Sequence, residues 1–104
     1  MSEFVHLHVH SDYSLLDGAA SIDSLVDKAV GCDMSHLALT DHGSMFGALT
    51  FYKACHERGV TPLIGSECYV SPGSRHDRGS MKGAGKGTVR PQRSYHMGLI
   101  ARNE

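Results

Sequence analysis

The sequence predicts an α/β fold with mostly parallel strands. Two observations carry this. Short runs with strand-like alternation exchange with amphipathic helical runs, in the order β-α-β-α-β-loop-β. The strand-like runs also place a histidine or a carboxylate at or near an end. Chemistry collects at strand ends in parallel α/β folds.

The elements follow in order. Phe4 to His10 alternates, with Phe4, His6, His8 and His10 on one face and Val5, Leu7 and Val9 on the other, which predicts a first strand. Ser21 is placed to cap a helix whose inner stripe is Ile22, Leu25, Val26 and Ala29, with Gly31 as its stop. "HLALTDHG" predicts a second strand ending in a polar turn. "SMFGALTFYKACHERG" predicts a second helix capped by Ser44 and stopped by Gly59. Its inner stripe is expected at Met45, Leu49, Tyr52 and His56, broadened by Phe46, Ala48 and Phe51. "TPLIGSECYV" and "YHMGLIA" predict the third and fourth strands, paired parallel through crossovers. Between them, residues 72–94 predict an exposed, flexible, basic, glycine-rich loop.

Composition narrows the function classes. At 104 residues the chain is one small domain. No apolar run approaches the roughly 18 residues of a membrane span, and Met1-Ser2-Glu3 leads straight into the first strand with no signal-peptide pattern. Cys32, Cys55 and Cys68 form no CxxC pair, which suits reduced thiols in a cytoplasmic protein. Residues 1–71 hold nine acids against three bases, and residues 72–104 hold seven bases against two acids. An acidic body with a basic arm suits a metal site beside a phosphate-bearing ligand; a solvated basic loop accounts for it equally.

Eight histidines in so short a chain direct attention to metal chemistry. His8 and His10 form an H-x-H pair, and alternate residues of a strand point the same way. Asp17, His42, Glu67 and His96 can converge on the same end of the sheet. Glu67 sits inside an apolar strand, where a carboxylate needs a partner. His96 lies early in its strand, which parallel pairing does not predict. His6 is expected deeper, as a packed core histidine. Either Asp41 or His42 can bind metal with one orienting the other, and Asp41 alone can instead cap the following helix. Cys68 reads as core, and His36, His56 and His76 as structural or solvated. "KGAGKGT" lacks the first glycine, the Ser/Thr and the flanking strand of a phosphate loop. "HSDYS" offers Ser, His and Asp as neighbours in sequence, which is not a triad in space.

The phrases "LHVHSDYSLLDG", "LALTDHGSMFGALTFYKA", "PLIGSECYVSPGSR" and "YHMGLIARNE" resemble the polymerase and histidinol phosphatase (PHP) domain family. More narrowly, they resemble its branch at the N-terminus of the bacterial DNA polymerase III alpha subunit. The resemblance implies that residues 1–104 are the N-terminal part of a distorted seven-stranded α/β barrel whose remaining strands and later ligands lie beyond residue 104. It implies a cluster of up to three divalent metals, zinc or manganese first and magnesium or iron next. The ligands it implies are His8, His10, Asp17, His42, Glu67 and His96; Arg75 and Arg78, bases of the neighbouring segment, are candidate phosphate contacts beside them. The parent would be a DNA-directed DNA polymerase of DNA replication, and the domain a 3′–5′ exonuclease or phosphoesterase. Its partners would be DNA, the rest of the alpha subunit and a proofreading exonuclease among the replicase subunits. The chain alone is expected to be inactive. Two alternatives stand beside this: a non-catalytic module that docks an exonuclease, and a free-standing phosphatase.

Overall fold

The computed structural model describes residues 4–76 and 94–103. Their elements run α1 (Ile22–Gly31), β1 (His36–His42), α2 (Ala48–Arg58), β2 (Thr61–Val70) and β3 (Tyr95–Ile100). The three strands form one sheet in the order β1-β2-β3, a mixed α/β architecture. Ser21 caps α1 as expected, its side chain accepting from the Ser24 amide. α1 stops at Gly31, its last residue. The chain turns away through Asp33, whose φ is 58°. Asp tolerates that left-handed region through its short polar side chain.

β1 and β2 pair in parallel across the α2 crossover, with Leu39 beside Ile64 and His42 beside Glu67. β3 departs from expectation. It pairs antiparallel with β2, with His96 beside Tyr69 and Gly98 beside Glu67. Its first residues therefore lie at the end of the sheet where β1 and β2 finish. That explains why a candidate ligand stands early in β3 and late in the other two strands.

The predicted first strand is the larger correction. Residues 4–10 run beside β1 without forming a ladder, and the chain bends at His8. The Ala38 amide donates to His6 O and the Thr40 amide to Val9 O. Two residues of β1 thus face three of the N-terminal segment, an offset of the β-bulge kind. The Thr40 hydroxyl accepts the Val9 amide, taking a donor that a ladder would use. With the alternation broken, His6 is exposed, its ring nearly perpendicular to that of Phe4 at 4.7 Å; it is not a core histidine.

The core lies between the helices and the inner face of β1. It holds Ile22, Val26 and Ala29 of α1, Leu37 and Leu39 of β1, Phe51, Ala54 and Cys55 of α2, and Val60. The inner face of α2 is therefore Phe51, Ala54 and Cys55. The stripe expected at Met45, Leu49 and Tyr52 is exposed, and His56 stacks on Tyr52. α2 begins at Ala48, with Gly47 before it and no side-chain cap; Ser44 lies outside the helix. Packing against the rest of the fold selects this stripe over its neighbour on the same helix. Gly59 ends the helix in a left-handed conformation, as expected. Arg58 ties α2 to α1 by donating to Asp27 at 2.6 Å and Asp23 at 3.1 Å.

Of the predicted loop, residues 72–76 and 94 are described and mostly exposed; residues 77–93, with Arg78 and the "KGAGKGT" phrase, lie outside the described residues. Among the described residues, no helix is long and apolar enough to cross a membrane. Phe51 is 0% exposed and Leu49 64% exposed. Phe51→Ala is therefore expected to destabilise the fold by about 3–5 kcal/mol. Leu49→Ala is expected to change stability by no more than about 0.5 kcal/mol. Urea denaturation of the two variants measures both, and equal losses would show that α2 buries its other stripe.

Candidate metal centre

Strand alternation sends neighbouring residues to opposite faces of a sheet. On β1, Leu37 and Leu39 face the helices, and Asp41 continues that row. His42 points to the other face, above its register partner Glu67. Asp41 and His42, adjacent in "TDHG", therefore do different work.

Glu67 is the hub of the outer face. Its Oε2 accepts from His8 Nε2 at 2.8 Å and from His10 Nε2, and its Oε1 meets His96 Nδ1 at 3.1 Å. Three imidazoles from two separate segments thus meet one buried carboxylate. The hydrogen bond from His8, with that from His10, holds the Glu67 carboxyl down at about 2, although burial acts the other way.

Asp17 lies behind the histidines. Its Oδ2 accepts from His42 Nδ1 at 2.8 Å and stands 3.4 Å from His10 Nδ1. The His42 bond lowers the Asp17 carboxyl below its ordinary range. With Nδ1 carrying the shared proton, His42 Nε2 presents its lone pair forward. That atom is buried and has no hydrogen-bond partner among the described residues. A carboxylate on the rear nitrogen and an unsatisfied front nitrogen is how a metal-ligating histidine is held.

Two sets of ligand atoms lie close enough to hold a cation: His8, His10 and Glu67, and His42, Glu67 and His96, each within 4.8 Å. They share Glu67. Replacing the protons between imidazole and carboxylate by a cation would leave every donor satisfied, so the residues fit a divalent metal with mixed nitrogen and oxygen ligands. A cavity of about 360 Å³ lined by Leu7, His8, Glu67, His96 and Gly98 adjoins the hub.

All six expected ligands come together. Five fall in the two sets, and Asp17 sits on the Nδ1 atoms of His42 and His10. Arg75 is exposed, and its Nε donates to His76.

Asp41 neither caps α2 nor touches His42. It is 1% exposed and accepts the Ser11 amide at 2.6 Å, the Ser11 hydroxyl at 2.8 Å and the Ser14 hydroxyl at 3.0 Å. Ser14 Oγ in turn accepts the His42 amide at 2.8 Å. The turn is drawn so tight that a Cβ at Gly18 would lie 1.9 Å from Ser11 O. Asp41 therefore pins residues 11–14, and that turn delivers Asp17 to His42. The sequence reading missed Ser11 and Ser14. The two serines sat in plain view in "HSDYS", but only a carboxylate from the helix-facing side of β1 gives them a role.

The model of the PHP domain matches residues 6–104. The chain belongs to the PHP domain family. Among curated relatives of this PHP chain, the DNA polymerase III subunit alpha of Borreliella burgdorferi is 49% identical over 99% of the chain. That of Treponema pallidum is 52% identical over 97%, and that of Aquifex aeolicus 41% identical over 98%. The PHP chain spans only 8–9% of the length of these relatives. Among solved structures, an amidohydrolase from Chromobacterium violaceum with bound sulfate and no metal superposes with TM-score 0.58. It is 36% identical and covers 66% of this chain and 24% of its own. A protein from Bifidobacterium adolescentis described as a metal-dependent phosphoesterase superposes with TM-score 0.59. At 22% identity over 92% of this chain and 26% of its own, that likeness speaks to the PHP fold alone.

Two outcomes are expected. Asp41→Asn turns an acceptor oxygen into a donor facing two hydroxyls, which should cost about 1–3 kcal/mol. It should also speed hydrogen exchange at the Asp17 and Gly18 amides, which bond to Ser14 O; unchanged exchange would separate Asp41 from the turn. Glu67 has a folded pKa of about 2, below its ordinary 4.5. Its contribution to stability is thus complete above pH 4.5 and lost as pH falls through 2. In metal-free protein, urea midpoints of the native sequence should therefore fall more steeply than those of Glu67→Gln over that window.

Proposed function

We propose that this chain is the N-terminal part of the PHP domain of a bacterial replicative DNA polymerase III alpha subunit. In that protein its histidine–carboxylate cluster would serve hydrolysis of a phosphodiester at a DNA 3′ end. The carrying observation is the meeting of His8, His10 and His96 on Glu67, beside a buried His42 Nε2 that has no partner among the described residues. The alpha-subunit relatives support the assignment of the parent. The remaining strands of a seven-stranded barrel, the rest of the alpha subunit, a proofreading exonuclease and DNA are the partners this reading implies.

His8, His10, Glu67, His42 and His96 would hold the ions, with Asp17 fixing the imidazoles of His42 and His10. The mixed imidazole and carboxylate set favours zinc or manganese over magnesium. When bound, such ions polarise a phosphoester and lower the pKa of water. The protein's share is orientation. Asp17 keeps the proton of His42 on Nδ1, and Asp41 holds the turn that brings Asp17 there. Overall, the water oxygen bonds to phosphorus, the bond from phosphorus to the leaving oxygen breaks, and the proton passes from water to the leaving oxygen.

The test uses the full-length parent protein. Purified without chelator, it is expected to carry zinc or manganese and to shorten single-stranded DNA from the 3′ end. His10→Ala and Glu67→Gln are expected to lower metal content and to cut hydrolysis by about a hundredfold or more, while nucleotide incorporation continues. Losing even an outer partner of a metal ligand typically costs 10–100-fold. Metal present without hydrolysis would favour the non-catalytic module, since the cluster joins the N-terminal segment to all three strands. Turnover of small phosphate monoesters alone would favour a phosphatase.

A further inference from the structure

Tyr69 follows Glu67 by two residues on β2, so both side chains leave the same face, roughly 7 Å apart along the strand. β2 ends at Val70, which places Tyr69 at the C-terminal rim of the strand, one pleat beyond the carboxylate hub. The ring is held on several sides. Its centroid lies 4.9 Å from that of His42 at an interplanar angle of 33°, and 5.3 Å from that of His96, edge-on at 83°. The chain passes close beneath at Gly43, which has φ +65°; a Cβ there would lie 2.6 Å from Tyr69 Cε2. Yet Tyr69 remains 59% exposed.

An aromatic ring so exposed contributes little to the core. One already immobilised by its neighbours loses little further freedom when a ligand stacks on it. Its partners are two of the histidines that face the hub, so what lies on the ring is adjacent to what lies at Glu67. Nucleobases meet such a surface through faces that every base possesses. The structure thus sets a flat aromatic surface beside the histidine–carboxylate cluster at nucleotide-scale spacing.

We infer that Tyr69 is a stacking platform for the terminal base of a single nucleic-acid strand whose phosphodiester lies at the Glu67 cluster. The inference rests on the functional reading above and names the substrate class of that site. It gives the site a preference for nucleotides over phosphate esters that lack a base. Because Tyr69 is largely exposed, its replacement leaves the fold intact, and its effect is read in recognition.

The experiment uses the full-length protein with Tyr69 intact, as Tyr69→Phe and as Tyr69→Leu. Two single-stranded oligodeoxynucleotides are compared, identical except that one ends in a normal 3′ nucleotide and the other in an abasic residue. The native sequence and Tyr69→Phe are expected to show a KM about tenfold lower for the base-ended strand, within the range of base–aromatic stacking. Tyr69→Leu is expected to lose that preference, read as the ratio of KM for the two strands, so that a common change from its packing on His42 and His96 cancels. A second readout needs no turnover. A strand ending in 2-aminopurine should be quenched more by the native protein than by Tyr69→Leu. Retained base preference in Tyr69→Leu, equal loss on both strands, or identical quenching overturns the platform. Tyr69-dependent quenching without hydrolysis by any variant supports the platform and overturns only the hydrolytic reading.

Discussion

One carboxylate on the central strand organises this molecule. Glu67 stands on β2, flanked by β1 and β3, and takes hydrogen bonds or ion pairs from both the N-terminal segment and β3. A buried carboxylate without partners would be costly. Here the cost is offset by three imidazoles, two from the N-terminal segment and one from β3. The N-terminal segment has only a broken set of bonds to β1, and β3 is exposed along its whole length. Glu67 is therefore an anchor for the sheet, and a cation there would strengthen the same links.

A second carboxylate, one register step away on the opposite face, solves a different problem. Asp41 lies on the side of the sheet covered by helices, where no solvent can satisfy it. Ser11 and Ser14 supply the donors, and in doing so they fold residues 11–18 back against β1. The consequence crosses the sheet, because that turn ends in Asp17, whose carboxylate meets His42 on the outer face. The two faces are coupled through backbone placement, with no side chain passing between them.

Much of this was readable from the chain. Both helices, the strands at His36–His42 and Thr61–Val70, and the strand beginning at Tyr95 follow from periodicity. The convergence of His8, His10, Asp17, His42, Glu67 and His96 was also expected, with the resemblance supplying the full set. The misreadings share a cause. Alternation from Phe4 to His10 looks like a strand, but a ladder needs continuous pairing, and the Thr40 hydroxyl together with a one-residue offset interrupts it. Helix periodicity in α2 is compatible with two neighbouring stripes, and only contact with α1 and β2 selects Phe51, Ala54 and Cys55.

The sequence alone determined which elements form and which chemical groups are available, because helix periods, caps and strand alternation are local properties. The tertiary structure decided direction and company. That β3 runs antiparallel depends on pairing across a long connection, which no local pattern encodes, and this pairing brings His96 to Glu67. That Asp41 serves two serines and not its neighbour His42 depends on which face of the sheet the helices cover. Burial and pairing are contacts between distant parts of the chain, so the roles of these residues exist only once the chain has folded around them.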